Sequence, residues 1–367
     1  MAEPGSTGAR HLCLLGDANS VHVRRWAGEM LARGWRVSVV TARPEPIDGV
    51  EQRVLAPVRH SADWLLRANQ ARETVAELAP DIVHAHYVTS YGYLAARCGQ
   101  HPIVMTAWGS DILLTPRRSA LLRWLTGWTL RRADLITGDS LDLLDAMRVY
   151  RPTAPLRQIH WGADLARFSP SAWDLKPGFQ IASLRSWEPN YSIDVIVRAL
   201  ALLARTRSGA GAHLHLLGGG SQEEALRALV RSLGLDGQVT FHGRLDDAGM
   251  SAVMQACKVS VSVPVSDATS VSVLESMACG LPVVATDLPA NRQWLEAGDG
   301  ALVPAGDPLA LAAALQAWCE DEDRARCIGE RNRRRMEAEG ARKVQMDAMS
   351  SLYDQLLRGD LPRAALD

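Results

Sequence analysis

The feature that most narrows the fold of this chain is a rhythm. A short apolar run is followed by a loop and then by a segment with helical spacing of apolar residues, and the cycle repeats along nearly the whole length. Apolar runs at 11–15, 36–41, 81–86, 102–107 and 134–137 form one series, and runs at 179–184, 212–217, 239–241, 259–263 and 282–286 form a second. Short apolar runs without strict polar alternation read as strands covered on both faces, which is the habit of parallel sheets. Between the first two runs, Val21, Trp26, Met30 and Leu31 recur at helical intervals, and Gly34 ends the segment. The alternation predicts an α/β protein with two Rossmann-like halves.

A chain of 367 residues fits two domains. The stretch 162–178, GADLARFSPSAWDLKPG, is rich in Pro, Gly and small residues and reads as a linker between them. Long, Arg-rich helices are expected over 308–358. The formal net charge is -1, so no global field points to nucleic acid. Cysteines 13, 98, 257, 279, 319 and 327 form no C-x-x-C pair, which argues against a zinc site or a disulfide framework. Residues 1–10 lack the apolar core of a signal peptide, and no apolar run is long enough to span a bilayer. The expectation is a cytoplasmic protein, at most peripheral at the inner membrane face.

Ligands of open parallel sheets bind at the carboxyl ends of the strands, so residues just after each run are the candidates. Gly16, in Leu15-Gly16-Asp17-Ala18-Asn19-Ser20, allows backbone to approach a ligand at the start of a helix. It is not a G-x-G-x-x-G fingerprint, and on these residues alone a tight turn capped by Asn19 or Ser20 is the preferred explanation. Gly218-Gly219-Gly220-Ser221 repeats the pattern in the second half, with Ser221 and Glu223/Glu224 expected to cap the next helix. Arg185 follows the run 179–184, where a guanidinium can pair with a diphosphate or simply lie in solvent.

The stretch VSDATSVSVLESMACGLPVVATD, 265–287, carries two carboxylates, Asp267 and Glu275. A helix over 272–278 ending at Gly280 puts 268–270 at its N-terminus, where free backbone N–H groups favour phosphate. Glu275 sits among Leu274, Met277, Ala278 and Cys279, so it is expected to be buried and to need partners.

These residues resemble a known family. The block Asp267-x7-Glu275 followed by SMACGLPVVAT looks like the E-x7-E motif of GT-B glycosyltransferases of retaining family 4. DIVHAH at 81–86, GSD at 109–111, GAD at 162–164 with FSP at 168–170, GGG at 218–220 and VTFHG at 239–243 match in order, over nearly the whole chain. The resemblance implies a GT-B fold, with two Rossmann-like domains facing each other across a cleft. It places an acceptor domain at 1–165, a nucleotide-sugar donor domain at 166–340 and a C-terminal helix, 341–367, packing back on the first.

It also implies roles. Glu275 would bind the donor ribose, Asp267 the hydroxyls of the transferred sugar, and Arg185 the leaving diphosphate, helped by backbone at Gly16, Gly218, Gly219, Thr269, Ser270 and Val271. His242 and Gly243 would border the base. His22, His86, Trp108, Asp111 and Asn190 are candidates for the acceptor or sugar pocket. The implied reaction moves a sugar from a nucleoside diphosphate sugar, UDP-sugar favoured, to a hydroxyl of a small-molecule, glycan or lipid-linked acceptor. Anomeric configuration would be retained, and no metal or other cofactor is expected. Three positions depart from the family: Asp267 replaces Glu, Asn190 stands where a Lys is usual, and Trp108 stands where a His is frequent. A nucleotide-sugar-binding subunit with little activity, or a GT-B-like epimerase, remains an alternative.

His84 and His86 alternate on one strand, and pocket lining or core fits them better than a metal site. In 115–134, Trp124, Trp128 and several Leu alternate with Arg117, Arg118, Arg123, Arg131 and Arg132. Such a segment suits either an anionic membrane surface or a helix packed on the sheet with its arginines in solvent.

Overall fold

The computed structural model describes residues 9–295 and 302–361. The expectations for the first eight residues and for 362–367 lie outside them. Contacts divide the chain into two units: one runs to His160 and resumes at Met346, and the other is Trp161–Gln345.

The first unit holds a seven-stranded sheet. Its strands are β1 (His11–Leu15), β2 (Arg36–Thr41), β3 (Glu51–Val54), β4 (Ile82–His86), β5 (Ile103–Ala107), β6 (Leu135–Gly138) and β7 (Leu156–Gln158). They lie in the order β3-β2-β1-β4-β5-β6-β7, and every pairing is parallel. All residues of β1, β4, β5 and β6 are buried, as expected of strands covered on both faces. The second unit holds β8 (Gln180–Ser183), β9 (His213–Leu217), β10 (Val239–Gly243), β11 (Val259–Ser262), β12 (Val283–Thr286) and β13 (Leu302–Val303). The order β10-β9-β8-β11-β12-β13 repeats the first topology, again all parallel.

Three strands lie outside the two series of runs expected from the sequence. β3, β7 and β13 are edge strands, and none is uniformly buried. An edge strand packs on fewer neighbours, so its sequence need not be apolar. The stretch 162–178 is not a free linker. Phe168 is fully buried in the core of the second unit, and Lys176 Nζ donates to the carbonyl of Cys257 at 2.6 Å. Pro and Gly there make irregular backbone that is nevertheless packed. The Arg-rich C-terminal region forms helices Pro308–Glu320, Glu322–Arg335 and Arg342–Arg358. All six cysteines are free. Among the described residues, no helix is long and apolar enough to cross a membrane.

Candidate functional site

In each sheet the strand order reverses beside the first strand of its unit, β1 next to β4 and β8 next to β11. Loops leaving adjacent strands diverge at such a point and leave a crevice at their carboxyl ends. In the second unit, the residues placed there are Arg185, after β8, and Asp267, after β11.

Arg185 is 8% exposed, unusually enclosed for a guanidinium. Its Nη2 donates to Asp267 Oδ2 at 2.7 Å, and its Nη1 donates to Ser270 Oγ and, at 3.1 Å, to Ser272 Oγ. The ring of Tyr191 lies 4.3 Å from the guanidinium carbon. Ser270 is the N-cap of the helix Val271–Ala278, so Arg185 stands at that helix's N-terminus, together with Thr269 and Val271. Burial pushes the Asp267 carboxyl up from its ordinary value, and the charge of Arg185 opposes the shift. The two groups assigned separately to sugar and diphosphate are thus each other's partners.

Asn190 has a structural task. Its Nδ2 donates to the carbonyl of Ser266 at 2.9 Å, and its own carbonyl accepts from Val265 N–H at 2.8 Å. It ties the turn after Arg185 to the loop that carries Asp267. Glu275, on the helix Val271–Ala278, is 5% exposed, as its apolar neighbours require.

The glycine loop is dictated by close packing. At Gly218, φ is +154°, and a Cβ would lie 2.5 Å from the carbonyl oxygen of Arg185. At Gly220 a Cβ would lie 2.4 Å from the carbonyl oxygen of Trp187. Gly219 meets nothing closer than Arg244 Nε at 3.4 Å. Ser221 does not cap the next helix, whose N-cap is Gln222. Instead its N–H and hydroxyl both donate to the Glu188 carboxylate, at 2.8 and 2.5 Å. Glu188, unnoticed in the sequence, staples this loop to the one after Arg185. His242, on β10, shares a hydrogen bond of 2.9 Å with His215, and the Gly243 carbonyl accepts from Gly218 N–H at 2.8 Å.

In the first unit, Gly16 packs where a Cβ would lie 2.8 Å from Val23 and 3.4 Å from His86. Ser20 caps the helix Val21–Ala32 by accepting from His22 N–H. His22 stacks on Trp108 with ring centres 4.8 Å apart, and His86 stacks on the same indole at 5.6 Å. Burial holds His22 down to about 4 and His86 down to about 3, so both rings are neutral at pH 7. Asp111 does not face a pocket. It is fully buried, and its oxygens accept from the amides of Val88 at 2.7 Å and Trp108 at 3.0 Å. Burial raises its carboxyl to about 6. Among the described residues, no group of three or more His, Cys, Asp and Glu is arranged to hold a metal ion.

Comparison with known proteins agrees with this architecture. Residues 11–140 match the model of the "Glycosyl transferase 4-like" family, and 179–321 match "Glycosyl transferases group 1". The chain belongs to the family 4 glycosyltransferases of GT-B fold. It is 26% identical to the glycosyltransferase EpsD of Bacillus subtilis, over 84% of this chain and 86% of that one. Its fold superposes on sucrose-phosphate synthase of Thermosynechococcus elongatus with a TM-score of 0.81 at 20% identity, covering 95% and 100% of the two chains. On HepE of Anabaena, solved with UDP and in another crystal with UDP-glucose, the first structure gives 0.79 at 17% identity, covering 95% and 100%.

Within this glycosyltransferase, the sequence pointed to Arg185, Asp267, Ser270 and Glu275 but missed Tyr191, Ser272 and Glu188. Ser272 lies inside the quoted block, two residues past the cap, and a serine at that offset was the available signal. Glu188 meets Ser221 33 positions on, and Tyr191 reaches Arg185 across an irregular turn, so neither contact follows a helical or strand spacing.

Proposed function

We propose that this glycosyltransferase moves a sugar from a nucleoside diphosphate sugar, UDP-sugar favoured, to a hydroxyl of a glycan or lipid-linked acceptor. Configuration at the anomeric carbon is retained, and no metal takes part. The observation that carries this reading is the enclosure of Arg185 at the N-terminus of the helix Val271–Ala278, with Ser270 and Ser272 on its Nη1. Departure of a diphosphate develops negative charge, and a fixed guanidinium beside a helix N-terminus stabilises it without reorganisation. Arg185 takes over the role of the Lys that the family usually carries at position 190. Glu275 binds ribose hydroxyls, Asp267 the hydroxyls of the sugar, and His242 and Gly243 border the base. HepE, of the same fold, binds UDP and UDP-glucose, which favours uridine here.

The test is thermal melting with UDP, GDP, ADP and dTDP, each with and without EDTA. A ligand at about 100 times its dissociation constant adds about 2.7 kcal/mol. Stabilisation by UDP that survives EDTA is the expected outcome. No stabilisation by any of the four would remove the donor site, and loss with EDTA would remove metal independence. Retention is checked by NMR of the glucose first released from UDP-glucose, which must be the α anomer.

A further inference from the structure

Three arginines close together in the first unit stand out by their exposure. Among the described residues, Arg117, Arg118 and Arg123 make no side-chain hydrogen bond or ion pair. Their neighbours in the chain behave otherwise. Arg131 Nη1 donates to the carbonyl of Tyr150 at 3.3 Å, and Arg132 lies 3.6 Å over the ring of Trp128 and donates to that residue's carbonyl. The arginines of 115–134 thus divide into two that bond to the backbone of the same unit and three that do not.

Arg117 and Arg123 line a groove of about 650 Å³ together with Ile112, Leu113, Pro116 and Tyr150, and Arg118 is exposed next to Arg117 in the chain. Around it, large apolar side chains are exposed to solvent. Leu121 is 69% and Trp124 58% exposed, on the helix Ala120–Leu130, and Leu114 and Val149 extend the patch. The same helix buries Thr126, Gly127, Thr129 and Leu130, so its orientation on the fold is fixed and Leu121 and Trp124 face outward.

No acid answers the three charges. Residues 112–133 contain none. Asp111 is buried on backbone amides, Asp134 accepts from His101 and from the amide of Ile103, and Asp145 pairs with Arg148. Unpaired guanidiniums around exposed Trp and Leu complement an anionic lipid interface, which takes the apolar groups at the acyl boundary and offers phosphates to the cations.

We propose that this face docks the protein on the surface of a membrane rich in anionic phospholipid. Leu121 and Trp124 enter the interface, and Arg117, Arg118 and Arg123 bind lipid phosphates. The assignment is independent of the donor site.

The experiment is flotation of the full chain, without nucleotide, on vesicles of phosphatidylcholine or of an equal mixture with phosphatidylglycerol. Binding to the mixed vesicles alone is expected. Each guanidinium at such a surface is worth about fivefold in partitioning, so R117E/R123E should lower binding at least tenfold. L121S/W124S should weaken it with the charge unchanged, and R231E, an exposed arginine of the second unit, should leave it intact. The substituted residues are exposed, and melting curves confirm that each variant folds. Absence of flotation, equal flotation on phosphatidylcholine, or insensitivity to R117E/R123E would each overturn the proposal. Release by free glycerol phosphate would overturn it too, by showing a site for soluble phosphate rather than a surface. Because no nucleotide is present, these failures leave the donor-site reading untouched.

Discussion

Arg185 and Asp267 meet across the reversal of strand order in the second sheet, with Nη2 of the one 2.7 Å from Oδ2 of the other. A diphosphate arriving beside Arg185 therefore finds a cation already paired, and binding has to share or redirect the guanidinium. Arg185→Ala should weaken UDP by about 1.5–3 kcal/mol, the worth of a hydrogen bond to a charged group. Turnover should fall further, since leaving-group charge peaks in the transition state. Asp267→Asn should keep or improve UDP affinity while lowering turnover at least about tenfold. Calorimetry with UDP and donor-hydrolysis rates separate the two, and weaker UDP binding by Asp267→Asn would refute the competition.

Glu275 is buried on the same helix and is assigned the ribose. Glu275→Gln keeps its volume and one acceptor oxygen but removes the charge. It should weaken UDP by about 1.5–3 kcal/mol and leave uracil-independent pyrophosphate binding unchanged. If UDP and pyrophosphate respond alike, Glu275 acts through the phosphate end or through folding.

The glycine loop offers a test of close packing against ligand contact. Gly218→Ala and Gly220→Ala place a methyl within 2.5 Å of carbonyl oxygens of Arg185 and Trp187, so both should destabilise the second unit. A cost of about 1–3 kcal/mol is typical of such overpacking. Gly219→Ala meets only the flexible Arg244 side chain, and its melting temperature should stay near that of the parent. Denaturation curves for the three variants decide it, and equal losses at all three would show that conformational freedom, not contact, selects glycine.

The two parallel sheets were legible because strands covered on both faces are mostly apolar, and β1, β4, β5, β11 and β12 are buried throughout. Of the edge strands, β10 was legible from its apolar start, whereas β3 and β7 carry mostly polar residues and β13 is only two residues long. At the site, the block from Asp267 to Thr286 was readable as a local motif, and Arg185 as a residue at a strand end. What the sequence hid was reciprocity. The pairing of Arg185 with Asp267 spans 82 positions, and that of Glu188 with Ser221 spans 33. Asp111, too, reads as a pocket acid until its amide partners are seen.

Tyr353 illustrates another long-range link. Its hydroxyl meets His84 Nδ1 at 2.5 Å and accepts from Trp26 Nε1 at 3.0 Å, while His84 Nε2 meets Thr106 Oγ1 at 2.6 Å. The C-terminal helix is thereby pinned to the centre of the first sheet. Tyr353→Phe keeps the ring but leaves Trp26 and His84 each without this partner. It should cost about 2–4 kcal/mol in urea unfolding, roughly the desolvation penalty of two buried polar groups. A change below about 0.5 kcal/mol, the scale of ordinary surface substitutions, would show that the hydroxyl is dispensable.

The same cluster makes the first unit sensitive to acid. Burial lowers His84 well below its ordinary value of 6.5, His22 to about 4 and His86 to about 3. These rings stay neutral in the folded chain while the unfolded chain takes up protons near 6.5. Their stabilising contribution is present above that pH and is lost as the pH falls toward the folded values. Asp111, raised from 3.8 to about 6, acts in the opposite sense: its contribution is present below 3.8 and is lost as the pH rises through about 6. Between these limits three histidines outweigh one carboxylate, so the four groups together make stability rise by up to about 2.7 kcal/mol per pH unit. His86→Phe preserves a ring against Trp108 and removes one titrating group. Its unfolding free energy should therefore depend on pH less steeply than the parent's by up to about 1.4 kcal/mol per unit. Urea titrations from mildly acid to neutral pH measure both slopes, and identical slopes would mean that His86 is already protonated in the folded protein.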